Sequence, residues 1–213
     1  MTTEKMNIHQ ALVELKTLDK RIMAAIQEGT YVVANKHCNA KIHGVPVKEF
    51  SDHVKSHYQK VTDLIARCDA IKRAVVNSNA VTKVEIAGKT YTVAEAIDMK
   101  NHGVDRLRSV LAKLTRDAAM AQREVDSANG FELERRADEH IRNMFGNTDV
   151  KGAAEEVKNA RAEFIAAQTM ELVDPIGIQK EIARLNEQIY EFEVNVDAAL
   201  SVSNALTIIE ITY

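Results

Sequence analysis

The amino-acid sequence describes a mainly α chain: an elongated antiparallel helical bundle or coiled coil with a short central β-hairpin and a C-terminal β-strand. Three observations lead there. Only 2 of 213 residues are Pro and 8 are Gly, and aromatics make up 5%, which disfavours a β-sandwich, a disordered tail or a collagen-like chain. Apolar residues recur at alternating spacings of four and three over several long stretches. β-branched residues gather instead around 81–92 and 205–212. A hydrophobic fraction of 46% suffices for a core of one or two domains, and the expectation is a single helical domain over 1–213.

The first helix is expected over 7–28, where Ile8, Leu12, Leu15, Ile22 and Ile26 form a stripe with Asp19 at its one polar position and Gly29 as the stop. Residues 30–46 contain Asn35, Asn39, Gly44 and Pro46 and read as a connector with room for one short strand. A helix over 47–76 follows, with Val54, Val61, Leu64, Cys68, Ile71 and Val75 on one stripe and His57 filling a seam position. Two β-branched runs around Ala87-Gly88 predict a hairpin over 81–92. Thr92 and Glu95 match a capping box, in which the threonine oxygen takes an orphan amide and the glutamate reaches back to the cap amide, so a helix over 93–126 starts there. Its stripe runs Ile97, Val104, Leu107, Leu111, Leu114, Ala118, Ala121 and Val125, interrupted only by Gly103.

Asn129-Gly130 is a breaker before a short helix over 131–145, and an Ala- and Glu-rich helix is expected over 150–172. Asp174-Pro175 cuts it. The last helix, 176–201, carries Ile178, Ile182, Leu185, Ile189, Phe192, Val196 and Ala199 in unbroken four-and-three spacing. The tail at 205–212 reads as a strand that joins the hairpin or a neighbouring subunit's sheet, since a terminal strand left unpaired invites aggregation.

The net charge of −3 gives no global positive field for nucleic acid, and no apolar run approaches the length of a membrane span. The segment from Met1 to Lys5 leads straight into a charged amphipathic stretch, so the expectation is a cytoplasmic protein, or a virion component if phage-encoded. Cys38 and Cys68 then remain reduced thiols.

Candidate sites are few. Gly88-Lys89-Thr90 has the tail of a phosphate-binding loop, but Lys83 stands where the motif needs its first glycine, and a strand follows rather than a helix. His53 and His57 lie one helical turn apart, with His37, Cys38 and His43 upstream; without a glutamate in an H-E-x-x-H context, solvated histidines are the reading and no metal or cofactor is assigned. There is no G-x-S-x-G and no pair of E-x-x-H motifs, and the carboxylates alternate with Lys and Arg as solvated faces do, so no enzyme is expected. The richest polar segment gathers Arg73, Asn77, Asn79, Thr82, Lys83, Lys89, Thr90 and Tyr91. It reads either as helix caps and strand residues or as a pocket for a small anionic ligand, aided by the helix N-terminus at Val93.

The same segment carries a resemblance. Ser78-Asn-Ala-Val-Thr82 and Gly88-Lys-Thr-Tyr-Thr-Val-Ala-Glu-Ala-Ile97 resemble the N-x-x-T and G-x-T-L-T-x-A-L pattern of the small helical family often labelled septicolysin-like, found in bacteria and phages. The run from Ala11 to Ile22, and Val173-Asp174 followed by Gln179, are similar too. The chain departs from that family in lacking the usual Asn-Trp near the C-terminus and in its β-branched tail. The resemblance implies a helical fold with a central hairpin and leaves activity open; no pore-forming role is carried over, because no hairpin here looks membrane-seeking.

Narrow heptad stripes usually need more than one partner helix, supplied by other copies or, in a monomeric four- or five-helix bundle, from within the chain; the expected function is that of a non-enzymatic homo-oligomeric structural or assembly protein of phage or bacterial origin. Its interface would comprise Ile182, Leu185, Ile189, Phe192 and Val196 together with strand pairing. The alternative is a module that sequesters a small anionic or nucleotide-like ligand at the hairpin or a subunit interface.

Overall fold

The computed structural model describes residues 2–146 and 154–213 and is mainly helical. It contains β1 (Thr3–Asn7), α1 (Ile8–Glu28), β2 (Lys41–Ile42), β3 (Val45–Pro46), α2 (Val47–Val81), β4 (Lys83–Ile86), β5 (Lys89–Thr92) and α3 (Val93–Asp98). After a π-helical turn at Met99–Gly103 come α4 (Val104–Asn129), α5 (Phe131–Phe145), α6 (Ala154–Gln168), α7 (Ile178–Leu206) and β6 (Ile208–Thr212). Two compact units result: Met1–His102 with Glu191–Tyr213, and Gly103–Tyr190. No described helix is long and apolar enough to cross a membrane.

In the first unit, α1 and α2 pack antiparallel, since Glu14 meets Arg67 while Ala25, farther along α1, meets His57, earlier in α2. Their core holds Ile8, Ala11, Leu18, Cys68, Ile71 and Val75. The α1 stripe therefore differs from expectation: Leu12 and Asp19 are exposed, and the buried row runs through Ala11, Leu18 and Ala25. The two stripes share Ile8, Leu15 and Ile22 and differ in Leu12 and Asp19 against Ala11, Leu18 and Ala25. His57 is half-buried and donates from Nε2 to the Ala25 carbonyl at 2.7 Å, in the last turn of α1, where carbonyls lack intrahelical partners. Gly29 ends α1 with φ −79°, so its role is space: a Cβ there would fall 2.5 Å from the Tyr31 ring.

The C-terminal strand pairs neither with the hairpin nor needs a neighbour. It runs antiparallel to β1 of the same chain, in register from Thr3↔Thr212 to Asn7↔Ile208. Met6, Ile209 and Ile211 point into the α1/α2 core, while Lys5 and Glu210 form a 3.4 Å ion pair on the outer face. β1 ends in a capping box in which the Asn7 side chain accepts from the Gln10 amide and Gln10 accepts from the Asn7 amide.

Arg67 of α2 joins these elements. Its guanidinium grips the Glu14 carboxylate through Nε and Nη2, donates to Glu4 of β1 at 2.7 Å and to the Tyr213 hydroxyl, and lies 5.0 Å from the Tyr213 ring centroid. At 17% side-chain exposure it is largely withdrawn from water. Its bonds to Glu14 and Glu4 raise the Arg67 pKa, and its bond to Glu14 holds that carboxyl below the usual carboxylate range.

Further along, the helix expected over 93–126 is broken by the π turn at Met99–Gly103. Val93 and Ala96 are buried before the π turn and Val104 after it, while Ile97 is exposed. The helix expected over 47–76 extends to Val81, and that expected over 176–201 runs from Ile178 to Leu206. Part of the helix expected over 150–172 lies outside the described residues; α6 ends at Gln168. In the second unit, Asn129 and Met170 exchange two 2.7 Å side-chain-to-backbone bonds, and the Asp174 carboxylate caps α7 by accepting from the Ile178 amide at 2.7 Å.

Arg67→Ala is expected to cost about 2 kcal/mol of unfolding free energy, between an exposed and a fully buried pair. Because the folded-state pKa of Glu14 is depressed, its contribution is present above the unfolded carboxylate pKa and is lost as pH falls through the folded value. Urea denaturation across that pH range should show a shallower acid loss in Arg67→Ala than in wild type.

Candidate functional site

The hairpin is built on a two-residue turn, with Ala87 at φ 51° and Gly88 at φ 72°, the left-handed pair that matches strand twist. This fixes the register Lys83↔Thr92, Val84↔Tyr91, Glu85↔Thr90 and Ile86↔Lys89. Val84 and Ile86 are buried and Lys83 and Glu85 exposed. The Tyr91 ring meets Phe192 edge-on with centroids 5.8 Å apart, so α7 passes beneath the face that carries Val84 and Tyr91.

The eight residues of the polar segment do not converge. Arg73 and Asn77 are exposed on α2, and Asn79 is half-buried near its end. Thr82 closes α2: its amide donates to the Ser78 carbonyl at 2.8 Å, and its carbonyl accepts from the Val93 amide at 2.9 Å. Since opposed residues share a face, Lys83 lies with Glu85, Thr90 and Thr92, whereas Lys89 lies with Ile86 on the other face. The two lysines are thus placed on opposite sides of the hairpin.

The helix start at Val93 is occupied from within. Thr92 Oγ1 accepts from the Glu95 amide at 3.2 Å, and the Glu95 carboxylate accepts from the Thr92 amide at 2.7 Å. That amide bond holds the Glu95 pKa below its ordinary value, so a carboxylate already sits where an external anion would. Thr90 and Tyr91 line a depression shared with Glu95 and Asp98, an acidic setting.

A different feature borders β4: an open groove of about 550 Å³ between Thr82, Lys83 and Glu85 on one side and Ala198, Val202 and Leu206 of α7 on the other. Thr82 and Lys83 of the polar segment line this groove, and the sequence gives no sign of α7 beneath them, because the contact joins residues more than a hundred positions apart. The proposed interface residues lie along α7. Ile182 is half-buried, and Leu185, Ile189, Phe192 and Val196 are 2–7% exposed within the single chain. Among the described residues no group of three or more His, Cys, Asp or Glu side chains is placed to hold a metal. Cys38 is exposed and Cys68 buried, both as free thiols.

No family model, curated protein or solved structure matches the chain.

Thr92→Ala should cost about 1 kcal/mol by removing the cap, whereas Thr92→Ser should retain most of it. Thermal unfolding of the two variants measures the difference.

Proposed function

We propose that this chain is a self-associating structural protein, working through heptad-spaced helix seams that other copies complete. The observation that supports this reading is the state of α4. Its seam residues Leu107, Leu111, Leu114, Ala118, Ala121 and Val125 are only half-buried, and Val104 is the one residue of this 26-residue helix that is buried. The described part of Gly103–Tyr190 buries just Val104, Leu133, Ala137, Leu185 and Ile189 among its apolar side chains. A narrow seam left partly wet gains free energy when a further helix covers it, at about 25 cal/mol per Å² of apolar surface removed from water.

Leu185 and Ile189 are already buried within the chain, so a charge there would report on folding; half-covered Leu114 reports on association. Native mass spectrometry and light scattering of the wild-type chain should give masses at integer multiples of one chain. Leu114→Lys should shift the distribution toward the monomer while leaving most helical circular dichroism intact. A wild-type chain that remains monomeric at every accessible concentration overturns the proposal.

A further inference from the structure

We infer that the outer edge of β4 is a two-fold interface with the β4 edge of a second copy, giving a four-stranded sheet in the order β5-β4-β4-β5. This rests on the self-association reading and names a contact within it. The hairpin leaves β4 unpaired on one side. The Val93 amide donates to the Thr82 carbonyl, so that carbonyl and the main-chain groups of Val84 and Ile86 face the second strand and those of Lys83 and Glu85 face outward. Among the described residues, no hydrogen bond reaches these outward groups, and no ion pair involves the exposed Lys83 or Glu85 side chains.

The side chains select one arrangement. With two copies antiparallel about Val84, Lys83 of each stands opposite Glu85 of the other. Both are outward-facing residues, as a hydrogen-bonded antiparallel pair requires, and their charges are opposite. Sliding by two residues in either direction sets Lys83 against Lys83 or Glu85 against Glu85. Sliding by one opposes an outward-facing residue to an inward-facing one and loses the ladder. The two-fold axis runs normal to the sheet, so both hairpins keep their buried faces on the side of α7. There the groove floor, with Val202 and Leu206 exposed, lies beside the incoming strand. Four-residue strands make a small contact, so the dimer belongs to the weak, concentration-dependent class.

Charge reversal tests it. In analytical ultracentrifugation, Lys83→Glu alone, or Glu85→Lys alone, should weaken dimerisation about ten-fold by opposing like charges in both symmetry-related pairs. The double reversal, Lys83→Glu with Glu85→Lys, restores complementarity and should return the dissociation constant to within about three-fold of wild type. Hydrogen exchange at the Lys83 and Glu85 amides should slow as concentration rises. Self-association unaffected by the single reversals, or a double reversal no better than either single one, overturns the β4 interface while leaving self-association through the helix seams standing. A wild-type chain that is always monomeric overturns both.

Discussion

The first unit depends on one guanidinium. Arg67 sits midway along α2, and within its reach are a carboxylate from α1, a carboxylate from β1 and the phenol of the residue that follows β6. Each partner belongs to a different element, so satisfying the arginine fixes the α1/α2 register and the positions of both strands together. Glu4 reaches inward because it is opposite Ile211, on the face that also carries Met6 and Ile209. An arginine this withdrawn from water needs nearly all its donors engaged, since an unpaired charge there would be far costlier than any one bond is favourable. The terminal strands thereby gain an anchor that main-chain pairing alone, in a two-stranded sheet, would supply only weakly.

Sequence periodicity revealed the long helices and chemistry revealed their starts. The Ala87-Gly88 turn and the Thr92/Glu95 box lie where they were expected, because both are local: the turn needs left-handed backbone and the box a reciprocal pair three residues apart. What escaped detection was non-local. β1 contains one buried apolar residue, Met6, too few to show alternation, and is a strand only because β6 lies beside it. In α1 two stripes shared Ile8, Leu15 and Ile22, and which of Ala11 or Leu12 is buried is decided by where α2 packs, not by α1's own spacing. The π turn is invisible to any fixed period.

The same distinction governs the polar segment. Eight polar residues close in sequence suggested a pocket, but a strand sends successive side chains to opposite faces, which separates Lys83 from Lys89. Caps absorb others: Thr82 closes α2, and Thr92 and Glu95 satisfy one another at the start of α3. Clustering along the chain was legible from the residues; convergence in space required the register.

Among the described residues, three separate two-stranded sheets leave many strand edges, and the chemistry differs at each. β2 and β3 have two residues apiece, and β3 ends in a proline that cannot donate. Along β1 the outward-facing residues are Thr3, Lys5 and Asn7, and along β6 they are Ile208, Glu210 and Thr212, because the Thr2/Tyr213 and Ile8/Thr207 bonds set the phase. Each row carries a single central charge, which antiparallel self-pairing about its middle residue would set against its own copy, the usual protection of an edge. On β5 the outward amide of Thr92 is taken by Glu95. Among the described strands β4 alone carries two opposite charges flanking an apolar residue, and that arrangement repels every self-register of matching phase except the one centred on Val84. An edge protected against all registers but one excludes indiscriminate aggregation while permitting a defined contact, which is the property that distinguishes an interface from a liability.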